Sequence, residues 1–124
     1  MTQDEAINFW FESADRNKST AEDMFQGGHY DWSLFLWHLV LEKTLKGLIV
    51  KKGDVPPPIH DLRKLVKYAG VSIEKEKERQ LKEITSFNLE ARYDDYKRSF
   101  YHKATKQYAS LWVKICEEIY LWLK

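Results

Sequence analysis

Apolar residues recur along this chain at steps of three and four, the spacing that places them on one face of an α-helix. Ile7, Trp10, Ala14, Asn17, Ala21 and Met24 form the first such line. Thr2 and Glu5 are spaced as a capping box at its start, and Gly27-Gly28 ends it. A second line runs through Leu34, His38, Leu41, Leu45 and Leu48, widened by Phe35, Trp37 and Ile49. Asp31 reads as its N-cap and Gly53 as its limit, a helix roughly 30 Å long.

The three prolines stand together at Pro56, Pro57 and Pro58, so a stiff loop follows. Beyond it a short helix from His60 or Asp61 to Ala69 turns Leu62, Leu65 and Val66 inward. Gly70 stops it, and Ser72 reads as the cap of a further helix reaching about Leu89. In that helix Ile73, Leu81, Ile84 and Phe87 are the core positions, while residues 74–79 alternate in charge as a solvated face. Residues 90–104 are polar and aromatic and break the period. A last helix from about Thr105 to Lys124 carries Tyr108, Leu111, Trp112, Ile115, Ile119, Trp122 and Leu123. The one short β-prone run, Leu48-Ile49-Val50, continues a helix. Four long helices joined by short connections predict an all-α, up-and-down four-helix bundle with an additional short helix, one domain over residues 1–124.

Composition narrows this picture only slightly. With 44% hydrophobic and 31% charged residues, the chain has the make-up of a folded globular domain. Its longest nearly apolar stretch, around Leu34–Leu41, falls well short of the ~20 residues of a membrane span. The lone Cys116 excludes an intramolecular disulfide, and with no basic-then-apolar leader the expected compartment is the reducing cytoplasm.

The formal net charge of +1 hides a split. Residues 1–31 carry two basic and seven acidic side chains, whereas residues 32–82 carry eleven and six. A near-zero total therefore does not exclude a local basic patch.

Phosphate-loop, dinucleotide-binding, zinc-protease and hydrolase motifs are all absent from the sequence. The histidines His29, His38, His60 and His102 include no pair three or four apart, so neither a metal site nor a cofactor is expected. His38 lies on an apolar line and reads as a core histidine, with Asn17 as a conceivable partner. Glu42 and Lys46, one turn apart, read either as a surface ion pair or as an acceptor set beside the core for an incoming arginine.

The segment from Asn88 to Lys103 is the richest in chemistry. Arg92, Lys97 and Arg98 offer phosphate donors, Tyr93 and Tyr96 offer stacking faces, and His102 offers a proton carrier at neutral pH. Such residues suit nucleotide or RNA binding, or RNA cleavage by activation of a 2′-hydroxyl. They also suit an inter-helix loop whose aromatics pack over the bundle end and whose arginine pairs with Glu42 or Asp95.

The arrangement resembles the HEPN family. The resemblance rests on the aromatic and alanine first helix, the Gly28-His29-Tyr30 turn, and the second-helix run Leu41-Glu42-Lys43-Thr44-Leu45-Lys46. It also takes in His60-Asp61-Leu62 after the proline loop and Asn88-Leu89-Glu90-Ala91-Arg92-Tyr93. It implies a helical bundle that pairs as a homodimer, a minimal nucleotidyltransferase as partner in a toxin-antitoxin pair, and nucleotide or RNA as ligand. Active members are metal-independent ribonucleases with an arginine followed, after four to six residues, by a histidine. Here nine residues separate Arg92 from His102 and three separate Arg98 from His102.

The resulting expectation is a module that binds nucleotide or RNA, or pairs with a nucleotidyltransferase, through Arg92, Tyr93, Tyr96, Lys97, Arg98, Glu42 and Lys46. One alternative is a ribonuclease using Arg92, Arg98 and His102. Another is a ligand-free dimerisation protein, whose seam would draw on the tryptophans Trp32, Trp37, Trp112 and Trp122.

Overall fold

The computed structural model describes all 124 residues as helices and short connections, with no strand. The helices are α1 (Gln3–Gln26), α2 (Tyr30–Lys51), α3 (Leu62–Tyr68), α4 (Lys75–Arg92), α5 (Ser99–Lys103) and α6 (Lys106–Leu123). The four long ones form the bundle, and α2 is its axis, packed against every other helix. That position explains its composition. Residues Leu34, Trp37, Val40, Leu41, Leu45 and Ile49 are wholly or almost wholly excluded from water, and the apolar surface extends around most of the helix.

Helix α1 lies along α2 and is amphipathic: Ala14 and Ala21 are buried, while Ile7, Trp10, Asn17 and Met24 on the same line are half-buried. Thr2 caps it by accepting from the Glu5 amide at 3.1 Å. The approach of the two helices is closest at Gly47. A Cβ there would come within 2.5 Å of the Phe11 ring, so glycine is what lets Phe11 seat on α2.

Helix starts differ from the sequence expectation. Helix α2 begins at Tyr30 with His29 in the cap position, and Asp31 falls in its first turn, where its charge still suits the helix dipole. The turn before it is closed by the His29 amide bonding to the Met24 carbonyl, with Gly28 at φ +80°. Helix α4 begins at Lys75 rather than after Ser72, because Val71 first closes the end of α3 onto the Val66 carbonyl.

Helix α4 also continues to Arg92, and the aromatic segment folds into a second short helix, α5. Two short helices are thus present where one was expected. On α6 the buried set is Ala109, Cys116, Ile119, Tyr120 and Leu123, whereas Leu111 and Trp122 of the predicted stripe are exposed. That helix packs mainly on α2 and touches α4 only lightly, so a narrower face is covered. No helix is long and apolar enough to cross a membrane.

Candidate functional site

Two clusters of polar side chains meet on α4, one inside the bundle and one outside it. The inner cluster is built on α2. His38 is fully excluded from solvent, and its Nε2 lies 2.9 Å from the His60 carbonyl oxygen. A carbonyl only accepts, so Nε2 carries the proton. Nδ1 then accepts from the Asn88 amide at 3.3 Å. Burial lowers the His38 pKa from its ordinary value, outweighing the opposing backbone hydrogen bond and the nearby Glu42 charge. His38 is therefore a neutral core histidine tying α2 to α4 and to the loop before α3. Asn17 is not its partner, and the Asn17 Oδ1 has no hydrogen bond at all.

One turn further along α2, Glu42 and Lys46 form an ion pair at 3.1 Å with only 6% and 8% of their side chains exposed. Neither reading made from the sequence describes it. The pair is not on the surface, and the second partner of Glu42 is not an arginine but His60, whose Nδ1 donates at 2.9 Å. Lys46 also faces the Trp10 ring of α1 at 5.6 Å. Glu42 and Lys46, expected among the ligand-binding residues, thus lie in the core, joined to the outer cluster through His60, His38 and Asn88.

The link to that outer cluster is Asn88, whose Oδ1 accepts from Arg92 Nη1 at 3.4 Å. Arg92 Nη2 in turn donates to the Tyr93 hydroxyl at 3.2 Å. Helix α4 ends here, and the chain turns through Asp94–Arg98 into α5. Arg98 occupies the left-handed region at φ 52°, a conformation costing a non-glycine residue roughly 1–2 kcal/mol.

The turn is held by its own carboxylates. Asp95 accepts from the Ser99 amide at 2.9 Å and from the Ser99 hydroxyl at 2.7 Å, and Asp94 accepts from the Phe100 amide at 3.2 Å. The Ser99 bonds hold the Asp95 carboxyl below its usual range. Phe100 anchors the elbow by packing into the core beside Phe87.

This arrangement leaves the basic side chains free. Arg92, Lys97 and Arg98 form no ion pair, although Asp94 and Asp95 are sequence neighbours. Each cation lies instead over a tyrosine: Arg92 over Tyr93 at 5.2 Å, Lys97 over Tyr96 at 5.7 Å and Arg98 over Tyr101 at 5.1 Å. All six are exposed, Tyr96 to 91%. A small cleft of about 190 Å³ opens beside them between Tyr93, Glu90, Asp94, Ser99 and Lys103.

His102 is exposed, packs its ring edge-on to Tyr101, and makes no side-chain hydrogen bond. It sits one turn from Arg98, its amide bonding the Arg98 carbonyl at 3.0 Å. No group of three or more histidine, cysteine, aspartate or glutamate side chains is arranged to hold a metal ion.

Asn88 and His60 carry no expected role from the sequence, although both lie in the segments that resemble the HEPN family. The signal for Asn88 was its place one turn before Arg92, and for His60 its place at the end of a rigid proline loop.

The chain matches a family model, the HEPN domain, over residues 7–124. No curated protein matches it. Among solved structures it is similar in fold to the crystal structure of TT1696 from Thermus thermophilus, with a TM-score of 0.79 at 19% identity, covering 94% of each chain. With the match covering both polar clusters and every helix but the first turn of α1, the chain belongs to the HEPN domain family.

Proposed function

We propose that this chain is a binding module for nucleotide or RNA phosphate, acting through the elbow between α4 and α5. The observation that carries the reading is the set of three exposed cations, each stacked on a tyrosine and none neutralised by a carboxylate. Unpaired guanidinium groups bind phosphate without first breaking an ion pair. The exposed tyrosine rings offer faces on which bases can stack. Arg92 is held in register by Asn88 and, through it, by His38, so the inner cluster positions the outer one. Pairing with a minimal nucleotidyltransferase, or with a second copy of the chain, belongs to the same proposal. It is supported by family membership and by the exposed Phe9, Trp32, Leu111, Leu121 and Trp122.

Calorimetry with ATP, GTP and a short single-stranded RNA tests the ligand. Wild type is expected to bind at least one, with Arg92→Ala weakening it about tenfold, the equivalent of about 1.4 kcal/mol. Absence of binding to all three overturns the ligand reading.

A ribonuclease is the second reading, favoured by the placement of Arg98 at the start of α5 and His102 one turn into it. There His102 would move the proton and Arg98 would stabilise the charged phosphorus centre. RNA cleavage in the presence of chelator, lost in His102→Ala, would support it. Cleavage unchanged by that substitution would remove His102 from the reaction.

A further inference from the structure

A second basic feature lies away from the elbow. Between α3 and the first half of α4 runs a shallow groove of about 480 Å³ lined by Arg63, Lys75, Glu78, Arg79 and Lys82, with no apolar residue. Four of its five side chains are cationic. Lys75 and Lys82 form no ion pair, and Arg79 is paired only with Glu76 on the exposed surface. The Arg63 Nε is buried without a hydrogen-bond partner, its nearest carboxylate, Asp61, being 3.7 Å away. The groove therefore has donors to spare, and Glu78 is its only acceptor of opposite charge.

The groove is aligned with the elbow. Lys75, Arg79, Lys82, Ser86, Leu89 and Tyr93 are spaced four, three, four, three and four apart, so they share one stripe of α4. Arg92 flanks its far end. The carboxylates of the second half of α4 are directed elsewhere: Glu83 bonds Tyr108 and Lys103, and Glu90 lies near Lys103. One line, exposed except at the half-buried Ser86, thus leads from the cationic groove to the cation–tyrosine pairs. It is about 27 Å long at 1.5 Å per residue, the length of about eight stacked nucleotides at 3.4 Å each.

We infer that the α3–α4 groove is a second phosphate-binding site, and that with the elbow it forms one track along α4 for a single-stranded polynucleotide. The inference rests on the elbow reading for its far end and adds the groove as an independent anchor. A mononucleotide reaches only one end of the track, whereas a strand neutralises cations at both. The aromatic end distinguishes a strand with bases from a merely acidic polymer.

Fluorescence anisotropy with labelled single strands of four, eight and twelve nucleotides, as RNA and as DNA, tests this. Wild type is expected to bind the eight-nucleotide strand at least tenfold more tightly than the four-nucleotide one, with little further gain at twelve. Lys82→Gln combined with Arg79→Gln should remove most of that gain. It should also flatten the salt dependence, by about 0.7 in the logarithmic slope for each phosphate no longer neutralised. These are surface substitutions, and an unchanged circular dichroism melt will show that the fold is kept.

Length-independent affinity, or full affinity in the double variant, overturns the track. In that case Arg92→Ala still reports on the elbow alone. Loss in the groove variant with none in Arg92→Ala keeps the groove and overturns both the elbow reading and the continuous track. Equal competition by poly-glutamate overturns the polynucleotide assignment. The RNA and DNA arms distinguish which backbone is preferred.

Discussion

The inner cluster around α2 and the elbow after α4 both combine cations with carboxylates, in opposite circumstances. Inside, Glu42, Lys46, His38, His60 and Asn88 satisfy one another, and most are shielded from water. Outside, Arg92, Lys97 and Arg98 stand among carboxylates yet pair with none, because the carboxylates cap the backbone of α5. A charge buried without a partner is costly, so the inner cluster is complete. A solvated charge needs no partner, so the elbow leaves its cations available to a ligand.

That contrast can be broken from either side. The largest effect is expected at Glu42. Glu42→Gln strands the Lys46 ammonium in the core, and denaturant unfolding should show a loss of about 3–5 kcal/mol. Arg92→Ala at the elbow should change stability by about 0.5 kcal/mol or less. Equal losses at the two sites would erase the difference between them.

Next in size is Gly47→Ala. It drives a methyl group into Phe11 at the α1–α2 contact, with an expected loss of about 1–3 kcal/mol in the same assay. A neutral result would mean that α1 shifts freely on α2. Such a shift would also move Trp10 away from Lys46.

Arg98→Gly separates stability from binding at one residue. It relieves the left-handed backbone and should raise stability by about 1 kcal/mol, while weakening any phosphate ligand at the elbow. A thermal melt paired with calorimetry checks both signs.

The smallest expected effect is a slope. The pKa of folded His38 lies below its ordinary 6.5 because of burial, so the unfolded chain takes up this proton first. Stability should therefore be highest above pH 6.5 and fall as pH drops below it, toward the lower folded value. His60, Glu42 and Lys46 surround the same ring and are unchanged in His38→Gln. That variant should flatten the profile in that window, and an unaltered profile would assign the dependence to another group.

The helices were legible because their cause is local. The three-and-four spacing of Leu34, Leu41 and Leu45, the cap at Thr2 and the breaks at Gly27-Gly28 and Gly70 need nothing beyond neighbouring residues. The helical continuation to Arg92 and the extra helix α5 were not legible. They depend on Asp94 and Asp95 capping Ser99 and Phe100, and on Phe100 reaching the core beside Phe87.

The same boundary runs through the functional residues. Arg92, Tyr93, Lys97 and Arg98 could be picked out by type, since a run of cations and tyrosines is a property of the segment itself. Their freedom from ion pairs, and the burial of Glu42 and Lys46, could not. Glu42 lies eighteen residues from His60, and His38 lies fifty from Asn88. By itself, then, the sequence determined the helices, their amphipathic faces and the kind of chemistry at the elbow, because periodicity, capping and residue type act over a few residues. Tertiary structure alone decided which charges are neutralised, which are left open, and that Lys75, Arg79 and Lys82 face Arg63 across a groove. Those outcomes depend on distance and burial, and folding sets both.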